Sequence, residues 1–211
     1  MAERYDLPPE RLGRWLERWQ ARVGDVAATE VGADVRFRAA AGAVLLCEPP
    51  FPPVLPAGSR PGYDPAPLLD HVARERRVGV LLVRLGGAAV GVFEGRRLVV
   101  SKVERRLVHG RHRAGGSSAR RFERRRAGQA RVALDAAADV VARLLVPEAL
   151  RLDAVVGGGD RRALATVLED RRLAPLLPLV CDRVVEVAEP RLDVLRASPD
   201  LWLATVVRPK G

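Results

Sequence analysis

From residue 78 the chain sets dense apolar runs between glycine turns, and its period changes near residue 119. VGVLLVRL (78–85), AAVGVFE (88–94) and RLVVSKVERRLV (97–108) are separated by Gly86-Gly87 and Gly95-Arg96. Two-residue glycine turns between such runs predict an antiparallel three-strand meander. From about 119 to 145, Ala133, Ala137, Val140, Val141 and Leu144 recur at i, i+4, i+7, i+8 and i+11. That spacing predicts a long helix with one buried stripe. LDAVV (152–156) reads as a buried strand and the GGG that follows as a tight packing turn into a helix from Asp160 to about Glu169. RVVEVA (183–188) reads as another strand, a short helix starts near Pro190, and WLATVV (202–207) reads as a strand closing an edge.

Upstream, PERLGRWLERWQARV (9–23) carries Leu12, Trp15, Leu16 and Trp19 at helical spacing, so it predicts an amphipathic helix whose tryptophans enter a core. DVRFRAAAGAVLLCEPPF suggests two short strands around a glycine turn. Residues 49–67 hold eight of the sixteen prolines and read as a linker or extended crossing. The expected organisation is an N-terminal helix-and-strand extension over 1–62 and a larger domain over 63–211. Within that domain the order β-β-β-α-β-α-β, meander first and crossovers later, is that of ribonuclease-H-like mixed α/β sheets.

Composition narrows the class. With 211 residues, 48% hydrophobic, 29% charged and a mean hydropathy of −0.03, the chain can bury a sizeable core and reads as soluble and globular. No apolar run approaches the ~20 residues that span a bilayer, and MAERYDLPPE lacks the apolar segment of a signal peptide, so no membrane partner is expected. Cys47 and Cys181 show no CxxC spacing, which predicts free thiols and a cytoplasmic location. The formal net charge is +10, and its placement matters more than its size. Residues 102–126 contain ten basic residues against Glu104 and Glu123, a local charge of +8 that leaves +2 for the rest of the chain.

Several chemistries are poorly provided for. A two-metal nuclease needs carboxylates converging at strand ends and a helix; the meander offers Glu94 and Glu104, and the next strand only Asp153. GGGD (157–160) matches neither a dinucleotide-binding pattern nor a P-loop, and Asp160 more naturally caps a helix. The three histidines are dispersed, no metal site is expected, and no cofactor is implied. What remains is GRHRAGGSSARRFERRR (110–126). Its arginines crowd the start of a helix, where the macrodipole is positive and acids are preferred, as suits a polyanionic neighbour. Its paired glycines and serines remove bulk, so that backbone N–H groups can approach a reacting centre. Arginine on both stems around a small-residue tip predicts phosphate anchoring, on RNA rather than DNA.

SKVERRLVHGRHRAGGSSARRFERRRAGQA (101–130) resembles the diagnostic segment of the actinobacterial release-factor-like, VLRF-type peptidyl-tRNA hydrolases. These are relatives of the peptide-release domain of archaeal and eukaryotic termination factors. The likeness extends back through the meander and RLGRWLERWQARVG, and forward through the strand, GGG and helix. It implies a hydrolase of stalled ribosomes, with the large subunit, ribosomal RNA and peptidyl-tRNA as partners. Gly115, Gly116, Ser117, Ser118 and Ala119 would form the catalytic tip in the peptidyl-transferase centre. Lys102, Arg105, Arg106, Arg111, His112, Arg113, Arg120, Arg121, Arg124, Arg125 and Arg126 would contact RNA. Such tips carry a glutamine after the glycines, in GGxSQ or GGSQ; here Ala119 or Ser118 stands there, and the chain's two glutamines, Gln20 and Gln129, lie elsewhere. Two functions stay open: a hydrolase relying on backbone N–H groups, and a weak or inactive ribosome binder of the same shape.

Overall fold

The computed structural model describes residues 3–84, 87–105 and 117–210, the stretch 117–127 by its backbone alone. The chain forms two units, residues 1–74 with 199–211, and residues 75–198.

The first unit opens with β1 (Tyr5–Leu7) and α1 (Pro9–Val23). The strands β2 (Val26–Val31), β3 (Val35–Ala39), β4 (Val44–Glu48) and β5 (Gly58–Pro61) follow, then α2 (Ala66–Ala73). Pro8 precedes α1 in extended conformation and Gly24, with φ of 78°, ends it by accepting a left-handed geometry. Leu12 and Leu16 are fully buried and Trp19 nearly so, whereas Trp15, expected in the core with them, is half-buried. Trp19 meets Phe37 of β3, which also meets Tyr63.

Two expectations for this half change. The proline-rich stretch 49–67 belongs to the sheet and its core: β5 pairs antiparallel with β2, Val54 is buried, and its N–H donates to the Gly32 carbonyl at 2.8 Å. Proline is tolerated there because β5 is an edge strand, which needs donors on one side only. The C-terminal strand is interior, not an edge. It lies further on than WLATVV suggested, at Thr205–Lys210, between β1 and β4 in the order β1-β11-β4-β3-β2-β5, and is labelled β11. The bounds 1–62 and 63–211 therefore differ from the observed division, because the last strand returns across the whole sequence to complete the first sheet.

The second unit contains β6 (Arg77–Arg84), β7 (Gly87–Glu94), β8 (Arg97–Arg105), α3 (Ser117–Leu144), β9 (Ala154–Gly159), α4 (Arg161–Leu168), β10 (Val180–Val185) and α5 (Leu192–Ala197). A last short helix, α6 (Pro199–Trp202), belongs to the first unit. β6, β7 and β8 form the expected antiparallel meander, and β9 joins β6 in parallel, giving the order β10-β9-β6-β7-β8. Val78–Val83 is a continuous buried run, as a central strand covered on both faces requires. Most of the stripe on α3 is buried as its period predicted: Ala137, Val140 and Val141 join Leu81, Val83, Val90, Val92, Leu164 and Val167 in one core, Ala133 is buried as well, and Leu144 is half-buried against that core.

The GGG run is not a turn. Gly157 and Gly158 are buried strand residues of β9, and only Gly159, with φ of 93°, turns the chain. A Cβ on Gly157 would lie 2.3 Å from Leu164 Cδ2, and one on Gly158 2.6 Å from both Leu82 Cδ2 and Val185 Cγ2. These glycines let α4 and the neighbouring strands approach closely. β10 is likewise displaced toward the N-terminus of the expected 183–188.

Candidate RNA-binding end of the second sheet

The strand registers bring several distant residues to one end of the second sheet. Arg84 pairs with Gly87 and Gly87 with Arg105, while Val83 pairs with Gly159 and Gly158 with Val185. Thus β6, β8, β9 and β10 all finish here, and β7 begins here. With strands ~4.8 Å apart, the row from β8 to β10 is ~19 Å wide. The chain leaves the row at Arg105 and α3 begins at Ser117; the residues between them lie outside the described residues.

Of the expected site residues, Lys102 and Arg105 are exposed on the edge strand β8. Arg106, Arg111, His112, Arg113, Gly115 and Gly116 lie outside the described residues. Ser117, Ser118 and Ala119 open α3 two residues earlier than the period suggested. That places them in the first helical turn, whose backbone N–H groups have no intrahelical acceptor. Arg120, Arg121, Arg124, Arg125 and Arg126 occupy the next two turns, and no acid stands in the first turn. At ~100° per residue, positions 120, 121, 124 and 125 fall within about 140° of one another, opposite the stripe at 133, 137, 140, 141 and 144. Position 126 is in phase with that stripe.

The same end carries a basic depression that the sequence reading did not assemble. It is a shallow hollow of about 790 Å³, bordered by Arg84, Arg161, Arg162, Asp160, Glu186 and Ala188. Arg84 Nη1 donates to the Ala188 carbonyl at 2.7 Å, and the Asp160 carboxylate caps α4 by accepting from Ala163 N at 2.9 Å. The cap identified from the sequence is thus observed, and Arg161 and Arg162 directly follow it. Only the parallel pairing of β9 with β6 brings Arg84 beside them, and nothing in the local sequence signals that.

Three carboxylates, those of Glu94, Glu148 and Asp153, gather at the other end. Arg77 forms ion pairs with Glu94 and, at 3.0 Å, with Glu148, and its backbone N–H donates to Asp153 Oδ2 at 2.7 Å. Glu94 also meets Arg97. Glu94 and Asp153, two of the three acids weighed for metal chemistry, are therefore engaged in tying strands together, while the third, Glu104, lies on β8 opposite Ala88. Among the described residues no three His, Cys, Asp or Glu side chains are grouped as metal ligands, and no helix is long and apolar enough to cross a membrane.

Residues 76–208 match the sequence family described as the Actinobacteria/chloroflexi VLRF1 release factor. The chain belongs to this family. The VLRF1 span begins one residue into the second unit and holds the whole of its sheet, while RLGRWLERWQARVG lies outside it. The chain is also similar to peptide chain release factor subunit 1 of Aeropyrum pernix, 39% identical over 57 residues. That match covers 27% of this chain and 15% of the relative, so the chain corresponds to a small part of that protein. Among solved structures, the archaeal translation termination factor aRF1 superposes with a TM-score of 0.45 at 15% identity, over 88% of this chain and 67% of that one. Pelota of Archaeoglobus fulgidus superposes with a TM-score of 0.32 at 13% identity, over 92% and 61%.

Proposed function

We propose that this VLRF1-type release factor is a ribosome-associated peptidyl-tRNA hydrolase that frees nascent chains from stalled large subunits. The observation that carries the proposal is the family match over 76–208, which contains the GG segment and the basic start of α3. The sheet order β10-β9-β6-β7-β8 supports a ribonuclease-H-like release-factor domain. In this reading Gly115 and Gly116 let the tip pass close to the ester joining peptide to tRNA. Water attacks the ester carbonyl, charge develops on its oxygen, and the tRNA ribose oxygen leaves. The N–H groups of Ser117, Ser118 and Ala119 supply donors for that charge, since a helix leaves its first-turn N–H groups unpaired. Arginines of α3, with Lys102 and Arg105, anchor on ribosomal RNA phosphates. A ribosomal partner places the protein in the cytoplasm.

Ala119 favours a second reading, a weak or inactive ribosome binder. Its side chain has no amide to orient water, and loss of one such donor costs about 10²–10³ in rate. Peptide release from stalled ribosome–peptidyl-tRNA complexes separates the two. A hydrolase releases peptide as wild type, loses that activity in Gly116→Ala, and gains up to ~10²-fold in Ala119→Gln. Release that survives Gly116→Ala overturns the tip assignment; release seen only with Ala119→Gln establishes the inactive binder.

A further inference from the structure

The N-terminal part of the first unit, which precedes the family match, carries a groove of its own along α1. The groove has a volume of about 390 Å³, and Tyr5, Glu10, Arg11, Arg14, Trp15 and Arg18 line it together with Leu7. Tyr5 and Trp15 form its aromatic wall, with ring centroids 5.6 Å apart and planes inclined at 51°. Tyr5 is 37% exposed and Trp15 half-buried, so both rings offer surface to a ligand.

Arg11, Arg14 and Arg18 are exposed and lie on one side of the helix, at i, i+3 and i+7. They span ~10 Å of axis at 1.5 Å per residue. Arg14, Arg18 and Arg22 follow one another at i, i+4, a like-charge spacing that costs a helix ~0.2–0.5 kcal/mol per pair. Among the described residues, the ion pairs Arg4–Asp6, Arg36–Asp34, Arg38–Glu30, Arg60–Asp64 and Arg208–Glu48 engage other arginines of this unit. Among the described residues Glu10 is the one acid lining the groove, against three guanidinium groups. A basic amphipathic helix can lie on a membrane, but α1 has already committed Leu12, Leu16 and Trp19 to the core and has no apolar face left to insert.

We infer that this groove is a second RNA-binding site, taking an unpaired nucleotide on the Tyr5–Trp15 wall and the adjoining phosphates on Arg11, Arg14 and Arg18. Exposed aromatic faces beside guanidinium groups recognise single strands, because bases splayed from a strand can stack while those inside a duplex cannot. Arginine supplies the phosphate contacts through its fixed fork of donors.

The test uses the full chain and an unlabelled six-nucleotide single-stranded RNA of mixed sequence, followed by quenching of tryptophan emission. Stacking on Trp15 quenches emission in wild type, and Trp15→Phe removes that quench. Arg14→Gln/Arg18→Gln should weaken the quench-detected affinity and reduce its salt slope by ~1.4, from ~0.7 per phosphate contact on a single strand. Trp15→Ala, followed by 4-thiouridine cross-linking in place of emission, should lose about 5- to 150-fold, the conversion of ~1–3 kcal/mol per stacked base. Trp15→Phe and the arginine variants change exposed or half-exposed groups, and an unaltered circular dichroism spectrum verifies that they fold. The inference is overturned if Trp15→Phe retains the full quench, if a duplex of the same sequence quenches equally, or if an acidic peptide competes as well as RNA does. None of these readouts depends on the GG segment or on peptide release.

Discussion

Gly157→Ala tests whether the glycine run in β9 is a packing device. The new Cβ would stand 2.3 Å from Leu164 Cδ2 and 3.3 Å from its Cγ, so the whole side chain must move. Leu164 is only 5% exposed and packs in the core of the second unit, which leaves it nowhere to go. Overpacking of this kind costs about 1–3 kcal/mol, offset by ~0.5–1 kcal/mol from the lower entropy of the unfolded chain. The net expectation is destabilisation by ~1–2 kcal/mol, or ~0.5–1 M in urea midpoint at a slope near 2 kcal/mol per M. The reporter has to be chosen with care, because Trp15, Trp19 and Trp202 all lie in the first unit. Hydrogen exchange of the β6 and β9 amides, read by mass spectrometry across a urea series, follows the right unit. Leu164→Ala alone should cost ~2–5 kcal/mol through the cavity it leaves. In the double variant the alanine at 157 occupies part of that cavity, so the two costs should fall short of their sum by ~1 kcal/mol or more. An unchanged midpoint for Gly157→Ala, or additivity within ~0.5 kcal/mol, would refute the packing argument. Gly128→Ala is the matched control: it is exposed within α3 with nothing within 4 Å of its added Cβ, and should stabilise by up to ~1 kcal/mol.

Charge reversal at Arg124 and Arg125 should weaken ribosome binding and flatten its salt dependence without lowering thermal stability, since positions 124 and 125 are out of phase with the buried stripe of α3; sedimentation with large subunits at graded salt checks this. Cys47 is fully buried in β4 and Cys181 partly exposed in β10, and burial raises the pKa of both thiols. A thiol reagent should therefore label Cys181 slowly in the native protein and Cys47 only on unfolding of the first unit; equal native rates would contradict the burial. Asp170 has its pKa lowered to about 2, first by the hydrogen bond from the Arg172 side chain and then by that from its backbone N–H. A depressed carboxylate contributes stability that is present above its unfolded value of ~3.9 and lost as pH falls through the folded value. Asp170→Asn should accordingly flatten the acid limb of the stability profile between about pH 4 and 2, measured by thermal melts across that range.

Periodicity and composition carried much of this protein. The meander is legible because apolar β-rich runs joined by short glycine turns have few other solutions. The α3 stripe is legible because 3.6-residue spacing is a property of the helix itself. The crowding of arginine over 102–126 and the absence of glutamine after Gly115-Gly116 are likewise facts of the chain, and they define what the peptide-release assay of the proposed function asks. Tertiary structure decided whatever depends on partners far away in sequence. No local signal marks 58–61 as a strand, since its identity rests on pairing with β2, nor 205–210 as interior, since that rests on β1 and β4. Gly157 and Gly158 resembled a turn because glycine is the same residue whether it frees the backbone or makes room for Leu164, Leu82 and Val185. Trp15 and Trp19 share one helical period, yet only packing distinguishes the ring that enters the core from the one that lines a groove. Local pattern determines which residues want burial; the long-range pairing of strands determines what each is buried against, and which charges are left together at the surface.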